Sequence, residues 1–154
     1  MKDKLAAISK TFLFKDTPED KLELVAEIAE EKFYHSGDTI FREGDFGGEL
    51  FIIVSGSVKV GKTVKDERQE LARLESGEVF GEISIVDEMP RSATVQANEP
   101  TTLLAIKVED LECLFVDQPE LTAPVFRAFS KVLAARLRET TKDATFLREL
   151  VGKK

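Results

Sequence analysis

A carboxylate and a guanidinium flank one short apolar segment in the middle of the sequence. Glu82 follows Gly81, and Arg91 follows Pro90, with an apolar run and an acidic turn between them. Residues 83–86 predict about one helical turn, and residues 91–95 predict the start of a β-strand. An ionised carboxylate only accepts hydrogen bonds, whereas a guanidinium donates several from a planar fork. Together with the free N–H groups of a helical turn, these two side chains could bind an anionic small molecule that carries a hydroxyl group.

The composition excludes several other functions. The 154 residues are 42% hydrophobic and 33% charged, which predicts one globular domain with an extension. The net charge of -7 opposes a nucleic-acid-binding surface. Cys113 and His35 are the only cysteine and histidine, so a disulfide, a zinc cluster and a Ser–His–Asp site all lack members. Without a signal peptide or an apolar run of spanning length, we expect a cytoplasmic protein without cofactor or metal.

Two helices are predicted before the central region. Residues 3–14 have helical spacing of apolar side chains, and that helix is expected to end near Phe14 and Lys15. A second helix is expected to begin with Thr17 as N-cap and Pro18 at the first helical position, and to run to about Glu30. Both helices are interpreted as packing elements.

Residues 31–107 are typical of a small β-sandwich or β-roll. Short apolar segments alternate with glycine-containing turns throughout this region, and His35 is expected to lie in one of the turns. Residues 50–54 are apolar on both faces, which predicts a central strand. Residues 62–69 are polar and predict a hairpin tip, and residues 101–106 predict a closing strand.

Helices are predicted again at residues 108–116 and from Pro119 to about Leu150. Cys113 is expected to be a small core residue of the first. The second has a mostly apolar heptad seam, formed by Phe126, Ser130, Leu133, Leu137, Thr140, Ala144, Leu147 and Val151. A second copy of the chain could cover this seam and form a homodimer. The alternative is a lone amphipathic helix that folds back on its own domain.

These motifs together resemble the cyclic-nucleotide-binding domain family, of the catabolite activator protein and protein kinase A regulatory type. The matching segments are residues 37–38, 43–45, 50–53, 55–58, 80–83 and 90–95. The resemblance implies an α+β, mainly β fold: an eight-stranded antiparallel β-roll (a jelly roll) with N-terminal helices and a long C-terminal helix. Residues 1–154 would then form a single domain. It would comprise N-terminal helices in 1–30, the roll in 31–107 with a phosphate-binding cassette at 80–95, and C-terminal lid and dimerisation helices in 108–154.

The resemblance also implies the ligand, a cyclic nucleotide, with cAMP preferred over cGMP. Arg91 and backbone N–H groups near Ile83, Ser92 and Ala93 would bind the phosphate, and Glu82 would accept the ribose 2′-hydroxyl. Glu82 is expected to help satisfy the Arg91 charge as well. The full set of expected ligand-binding residues is Phe80, Gly81, Glu82, Ile83, Ser84, Arg91, Ser92, Ala93, Val95, Thr140 and Thr141.

Two residues of the C-terminal helix are candidates for binding the base. Thr140 and Thr141 match the consecutive hydroxyl residues that contact adenine in the catabolite activator protein. The alternative is that Thr140 is only a tolerated residue of the heptad seam. Ser92 could bond the phosphate or a guanine amino group, so it does not decide between the two nucleotides.

Two functions follow as hypotheses. The first is a regulatory sensor that transmits ligand occupancy through its C-terminal helix to an unidentified downstream protein. The second is a ligand-free, degenerate version of the fold that serves as a dimeric interaction scaffold. An enzyme such as a phosphodiesterase is not expected, because a metal set and a nucleophile–base pair are missing. Because the sequence ends at Lys154, where a DNA-binding helix-turn-helix would begin, we expect no DNA binding, and we expect no membrane partner.

Overall fold

The structure is a computed structural model that describes residues 2–87 and 89–152, with the side chains of the last helix described up to Arg138. The helices are α1 (Lys2–Ser9), α2 (Glu19–Ile28), α3 (Val108–Asp117) and α4 (Pro119–Gly152), and a short 3-10 helix spans Glu82–Ile85. The strands are β1 (Ala29–Tyr34), β2 (Thr39–Phe41), β3 (Glu49–Ser55), β4 (Ser57–Val64), β5 (Glu67–Glu75), β6 (Val79–Phe80), β7 (Thr94–Ala97) and β8 (Thr101–Lys107).

The strands form two four-stranded antiparallel sheets that face each other as a β-roll. One sheet has the order β1-β8-β3-β6, and the other has the order β2-β7-β4-β5. Except for the β4-β5 hairpin, every strand pairing joins strands that are not consecutive in sequence, so both sheets depend on long-range pairing. The predicted eight-stranded roll with N-terminal helices and a long C-terminal helix is confirmed.

Strand β3 is buried on both faces, as its continuous apolar run predicts. Phe51 and Ile53 point into the roll between the two sheets, whereas Leu50 and Ile52 point toward the helices. This division follows from the two-residue period of a strand. Each buried side chain of this size contributes about 1.5–3 kcal/mol to folding. Strand β3 therefore joins the roll to the helical layer.

The hairpin between β4 and β5 is longer and tighter than the sequence indicates. Residues 62–69 were expected to form a polar tip, but the strands continue until Val64 pairs with Glu67. The turn is only Lys65 and Asp66, which have φ values of 52° and 66°. Two such residues form the primed turn whose twist matches paired strands. Polar side chains do not interrupt these strands, because both faces near the tip lie in solvent.

The first helix is shorter than predicted. It ends at Ser9 and does not reach Phe14, although Ile8, Leu13 and Phe14 are all buried. The hydroxyl of Thr11 donates to the Ile8 carbonyl oxygen at 2.7 Å and accepts from the Phe14 N–H at 3.3 Å. The Thr11 hydroxyl thus forms hydrogen bonds with backbone groups that would otherwise pair with each other in a continuing helix. The chain therefore turns here, while its apolar side chains stay in the core.

The predicted boundaries of the second helix are also wrong. Pro18, not Thr17, is the N-cap, and the helix runs from Glu19 to Ile28. The Thr17 hydroxyl is buried and has no hydrogen-bond partner among the described residues. The helix stops before Glu30 because Ala29 already pairs with Ile106 in the sheet. Sheet pairing therefore overrides the helical spacing at this end.

The C-terminal helices differ from the expectations in two side chains. Cys113 is exposed on α3, so it is not a core residue. Phe126 packs against Phe115 of α3, with ring centroids 5.2 Å apart, so this seam position lies within the domain. Leu133, further along α4, is 38% exposed. Within the described residues, no helix is long and apolar enough to cross a membrane.

Candidate functional site

The site is built around Gly81, where β6 ends and the 3-10 helix Glu82–Ile85 begins. Gly81 has a left-handed backbone with φ of 77°, a conformation that glycine adopts without steric penalty. A Cβ at this position would lie 3.0 Å from Arg91 Nη1 and 3.0 Å from the Glu49 carbonyl oxygen. Glycine is therefore required both by the backbone angle and by the close approach of Arg91. The predicted helical turn after Gly81 is confirmed.

Glu82 is a buried carboxylate, with a relative exposure of 8%. Its Oε1 accepts a hydrogen bond from Arg136 Nη2 of α4 at 2.7 Å. Because buried carboxylates need a charged or hydrogen-bonding partner, this ion pair accounts for the position of Glu82. The negative charge of Glu82 helps to satisfy the Arg91 charge by raising its pKa, as expected, but the cation hydrogen-bonded to Glu82 is Arg136 of the C-terminal helix.

The Arg91 guanidinium is held by three uncharged acceptors. Nη2 donates to the Glu49 carbonyl oxygen at 2.6 Å, and Nη1 donates to Ser84 Oγ at 2.9 Å and to the Gly81 carbonyl oxygen at 3.4 Å. The guanidinium also lies over the ring of Phe41, with its Cζ 4.2 Å from the ring centroid. These contacts hold the side chain against the first turn of the 3-10 helix.

Burial lowers the pKa of Arg91, because a charged guanidinium loses hydration inside the protein. The negative charges of Glu49, Glu82 and Asp45 oppose this effect and raise the pKa. Arg91 Nε is buried and has no hydrogen-bond partner within the described part of the chain. The guanidinium therefore keeps an unused donor that an anionic ligand oxygen could satisfy.

The loop between β2 and β3 fixes the backbone on both sides of Arg91. The Arg91 N–H donates to the Asp45 carbonyl oxygen at 2.7 Å, and its carbonyl oxygen accepts from the Gly44 N–H at 2.8 Å. A Cβ at Gly47 would overlap the guanidinium itself. This loop therefore forms a wall of the arginine site, and only glycine at position 47 leaves room for the side chain.

An apolar row crosses the inner face of the second sheet beside this site. Phe41 pairs with Val95, Val95 with Val60, and Val60 with Ala72, so the four side chains share one face. Phe41, Val60 and Val95 belong to the apolar cluster inside the roll, whereas Ala72 is exposed. The row thus leads from the arginine to an open side of the roll, where a planar apolar group could lie.

The structure brings most of the predicted ligand-binding residues together. Phe80 and Val95 are buried inside the roll, Ser84 contacts Arg91, and Ile83 is exposed at the surface of the 3-10 helix. Ser92 and Ala93 precede β7, which begins at Thr94 rather than at Arg91 as predicted. Thr140 and Thr141 lie on the backbone of α4 but outside the residues whose side chains are described.

Four residues of the site were not found from the sequence. Glu49, Gly47 and Phe41 contact or border the guanidinium, and Arg136 bonds to Glu82. Gly47 belongs to a glycine pair, and such a pair is a usable sequence signal that another group approaches the backbone closely. No periodicity pairs position 82 with position 136, so that contact needed the tertiary structure. The described residues contain no cluster of side chains that could hold a metal ion.

Comparisons with known proteins identify the family of the chain. Residues 31–118 match the family model of the cyclic nucleotide-binding domain. The chain is 35% identical over 136 residues to the cyclic AMP receptor protein of Thermus thermophilus, covering 88% of this chain and 61% of that protein. It is 33% identical over 135 residues to human cGMP-dependent protein kinase 2, covering 85% of this chain and 16% of the kinase. The chain thus spans less than two thirds of either relative.

Solved structures have the same fold. The Thermus thermophilus catabolite activator protein superposes with a TM-score of 0.79 at 34% identity, covering 89% of this chain and 63% of that chain. A cyclic nucleotide-binding domain from Methylobacillus flagellatus superposes with a TM-score of 0.78 at 28% identity, covering 92% and 80% of the two chains. With the family model matching more than half of its residues, the chain belongs to the cyclic nucleotide-binding domain family.

Proposed function

We propose that this chain is a regulatory module that binds a cyclic nucleotide, prefers cAMP to cGMP, and transmits ligand occupancy through α4. The observation that carries the proposal is the placement of Glu82 and Arg91 on either side of Gly81, beside the open apolar row. A cyclic nucleotide has one phosphate charge, one ribose 2′-hydroxyl and one planar base. The corresponding groups of the site are the Arg91 cation for the phosphate, the Glu82 carboxylate for the 2′-hydroxyl and the apolar row for the base.

The phosphate would compete for Arg91 with the acceptors that now hold it. Carbonyl and hydroxyl oxygens are uncharged, whereas a phosphate oxygen carries negative charge and adds an ion-pair attraction to its hydrogen bonds with the guanidinium. Arg91 Nε, which has no partner among the described residues, would gain one. We infer that the guanidinium leaves part of its present network when the ligand binds, with Ser92 and Ala93 adding donors to the phosphate.

The ribose would connect the ligand to α4. Glu82 already accepts from Arg136, and a carboxylate has acceptor capacity for a further hydroxyl donor. The nucleotide and the helix would therefore share one buried side chain. For occupancy to move α4, the ligand must bind more tightly to one position of the helix than to another, and the shared carboxylate supplies a contact that differs between such positions.

The base is the part of the ligand that distinguishes cAMP from cGMP. Relatives named for cyclic AMP and for cGMP match the chain with similar identity. The preference for cAMP rests on Thr140 and Thr141, whose hydroxyls we propose contact adenine. We further propose that the module is not catalytic, forms a homodimer through the heptad positions of α4, and signals to a downstream protein.

Isothermal titration calorimetry of the purified chain with cAMP and cGMP tests the proposal. We expect binding of both, tighter for cAMP, and weakening by at least about tenfold in Arg91→Lys, which keeps the charge but loses the planar fork. Arg42→Lys is the matched control, because Arg42 is an exposed arginine of the neighbouring loop. Absence of heat with either nucleotide at millimolar concentration would contradict the proposal.

The second candidate, a ligand-free interaction scaffold, has one observation in its favour. The Arg91 guanidinium already has three protein acceptors, so the fold does not need a ligand to accommodate it. In that case Arg91→Ala and Glu82→Ala, if folded, should leave the cellular behaviour of the protein unchanged. A loss of function in both variants, with unchanged oligomeric state, would favour the nucleotide sensor.

A further inference from the structure

A groove of about 830 Å³ is lined partly by residues 84–87 of the cassette and shares only Ser84 with the expected ligand-binding residues. It is bordered by the loop between β2 and β3, by the end of the 3-10 helix and by the start of α3. Its lining includes Ser84 but none of Glu82, Ser92, Ala93 or Val95. It is therefore a second concave surface.

The groove combines exposed apolar side chains with carboxylates. Phe46 is 79% exposed and Val86 is 54% exposed, although both are large hydrophobic residues. Four carboxylates line the groove against one ammonium group, and they belong to Glu49, Asp87, Glu109 and Glu112, with Lys107 as the cation. Surfaces with exposed apolar groups inside a charged border are typical of interaction sites.

Two of these four carboxylates, those of Glu109 and Glu112, are available to a partner. The Glu49 carboxylate pairs with Lys32 at 3.3 Å, and an Asp87 carboxylate oxygen accepts from the Met89 N–H at 2.9 Å. Among the described residues, neither Glu109 nor Glu112 forms an ion pair. The groove thus has negative charge that the chain does not neutralise, and the net charge of -7 adds to it.

We propose that this groove docks a basic polypeptide segment with one apolar anchor side chain, which would insert between Phe46 and Val86. The charge complementarity selects the partner: nucleic acid and anionic lipid would be repelled, whereas lysine or arginine side chains would be attracted. An apolar anchor is needed because the exposed phenylalanine and valine would otherwise remain in water after docking.

Some of the residues that line the groove also contact Arg91. Three of its lining residues border the guanidinium: Glu49 and Ser84 accept its hydrogen bonds, and Gly47 leaves the space it fills. If a phosphate draws Arg91 away, the groove walls lose these contacts and peptide affinity changes. This dependence on nucleotide rests on the proposed function, whereas docking itself does not.

Fluorescence anisotropy with a fluorescein-labelled amphipathic helical peptide of lysine, leucine and alanine tests docking. The titration uses the full chain at about physiological salt, where surface attractions are screened beyond a Debye length. The test variant is Phe46→Ser with Glu112→Lys. The control is Phe33→Ser with Glu23→Lys, because both of its residues are exposed and outside the groove. The control makes the same change in composition and net charge.

We expect the groove double variant to weaken peptide binding by at least about tenfold and the control by less than about twofold. Equal weakening would show attraction to the overall negative charge and would overturn the proposal, as would the absence of binding to the unmodified chain. A sedimentation measurement in which the groove variant alone dissociates an oligomer would also overturn it, since a second copy would then occupy the groove. Thermal melting checks that both variants fold.

Calorimetric titration with cAMP, run beside the peptide titration, separates the two proposals. Peptide binding without a calorimetric signal for cAMP would retain the docking groove and contradict the nucleotide sensor. A calorimetric signal for cAMP without peptide binding would retain the sensor and overturn the docking groove.

Discussion

Glu82 Oε1 and Arg136 Nη2 lie 2.7 Å apart, so the cassette is bonded directly to the C-terminal helix. The two side chains differ in environment, because the Glu82 side chain is 11% exposed and that of Arg136 is 55% exposed. The carboxylate therefore depends on the ion pair more than the guanidinium does.

Replacing Arg136 by glutamine should destabilise the fold by about 1 kcal/mol, because a mostly buried carboxylate loses its cation. The estimate is at the low end of the usual range, since the Arg136 side chain is more than half exposed. Urea unfolding measures the change. Arg138→Gln, an exposed arginine two positions along α4, is the control and should be neutral. Equal destabilisation by both variants would show that the loss of stability comes from the change in net charge and not from the ion pair with Glu82.

Gly47→Ala should weaken nucleotide binding by at least about tenfold, because a methyl group at position 47 would occupy the space of the Arg91 guanidinium. Calorimetric titration with cAMP measures the effect. Gly48→Ala is the matched control, since a Cβ at Gly48 meets no atom within 4 Å. Affinity that stays the same in both variants would show that the position of Arg91 does not matter for the ligand.

Gly81→Ala should destabilise the fold more than Gly77→Ala. Both glycines have positive φ, 77° at Gly81 and 93° at Gly77, so both substitutions cost about 1–2 kcal/mol in backbone strain. Only at Gly81 would the new Cβ also lie 3.0 Å from Arg91 Nη1 and from the Glu49 carbonyl oxygen. The difference in unfolding free energy isolates this close approach, and equal values would argue against it.

Tyr34 should titrate at higher pH than an ordinary tyrosine. Burial raises its pKa above the usual 10.0, with Lys32 opposing and Glu49, Asp38 and Glu30 reinforcing the effect. Since the folded state favours the neutral phenol, its contribution to stability is present below pH 10 and is lost as pH rises through the folded-state pKa. Tyr34 is the only tyrosine and tryptophan is absent, so phenolate absorbance reports it directly. A pKa at or below 10.0 would contradict the expected burial.

Leu133→Asp should shift the chain from dimer to monomer if α4 forms the proposed seam. A charge placed at a heptad position of a paired helix is left desolvated and opposite its own copy. Sedimentation velocity measures the change. Ala135→Asp is the control, because it is exposed on the same helix but outside the seam positions. A monomeric unmodified chain would contradict the dimer at once.

Local sequence patterns predict the strands and turns of the roll. The apolar run in β3 and the glycine turns of the roll predicted the fold correctly, and the apolar run after Glu82 predicted the helical turn that follows Gly81. Strand alternation and turn chemistry depend on neighbouring residues, so they can be interpreted without a structure. Helix ends were less predictable, because the Thr11 side chain and the sheet pairing of Ala29 compete with helical spacing.

The groups that meet across the site come from distant parts of the sequence. Arg91 and its acceptor Glu49 are 42 residues apart, and Glu82 and Arg136 are 54 residues apart. Such contacts depend on how the two sheets close and where α4 crosses the roll, and no local pattern encodes either. Residue identity therefore predicts the kinds of side-chain interaction in the site. The partners that Glu82 and Arg91 contact are set by the packing of distant elements.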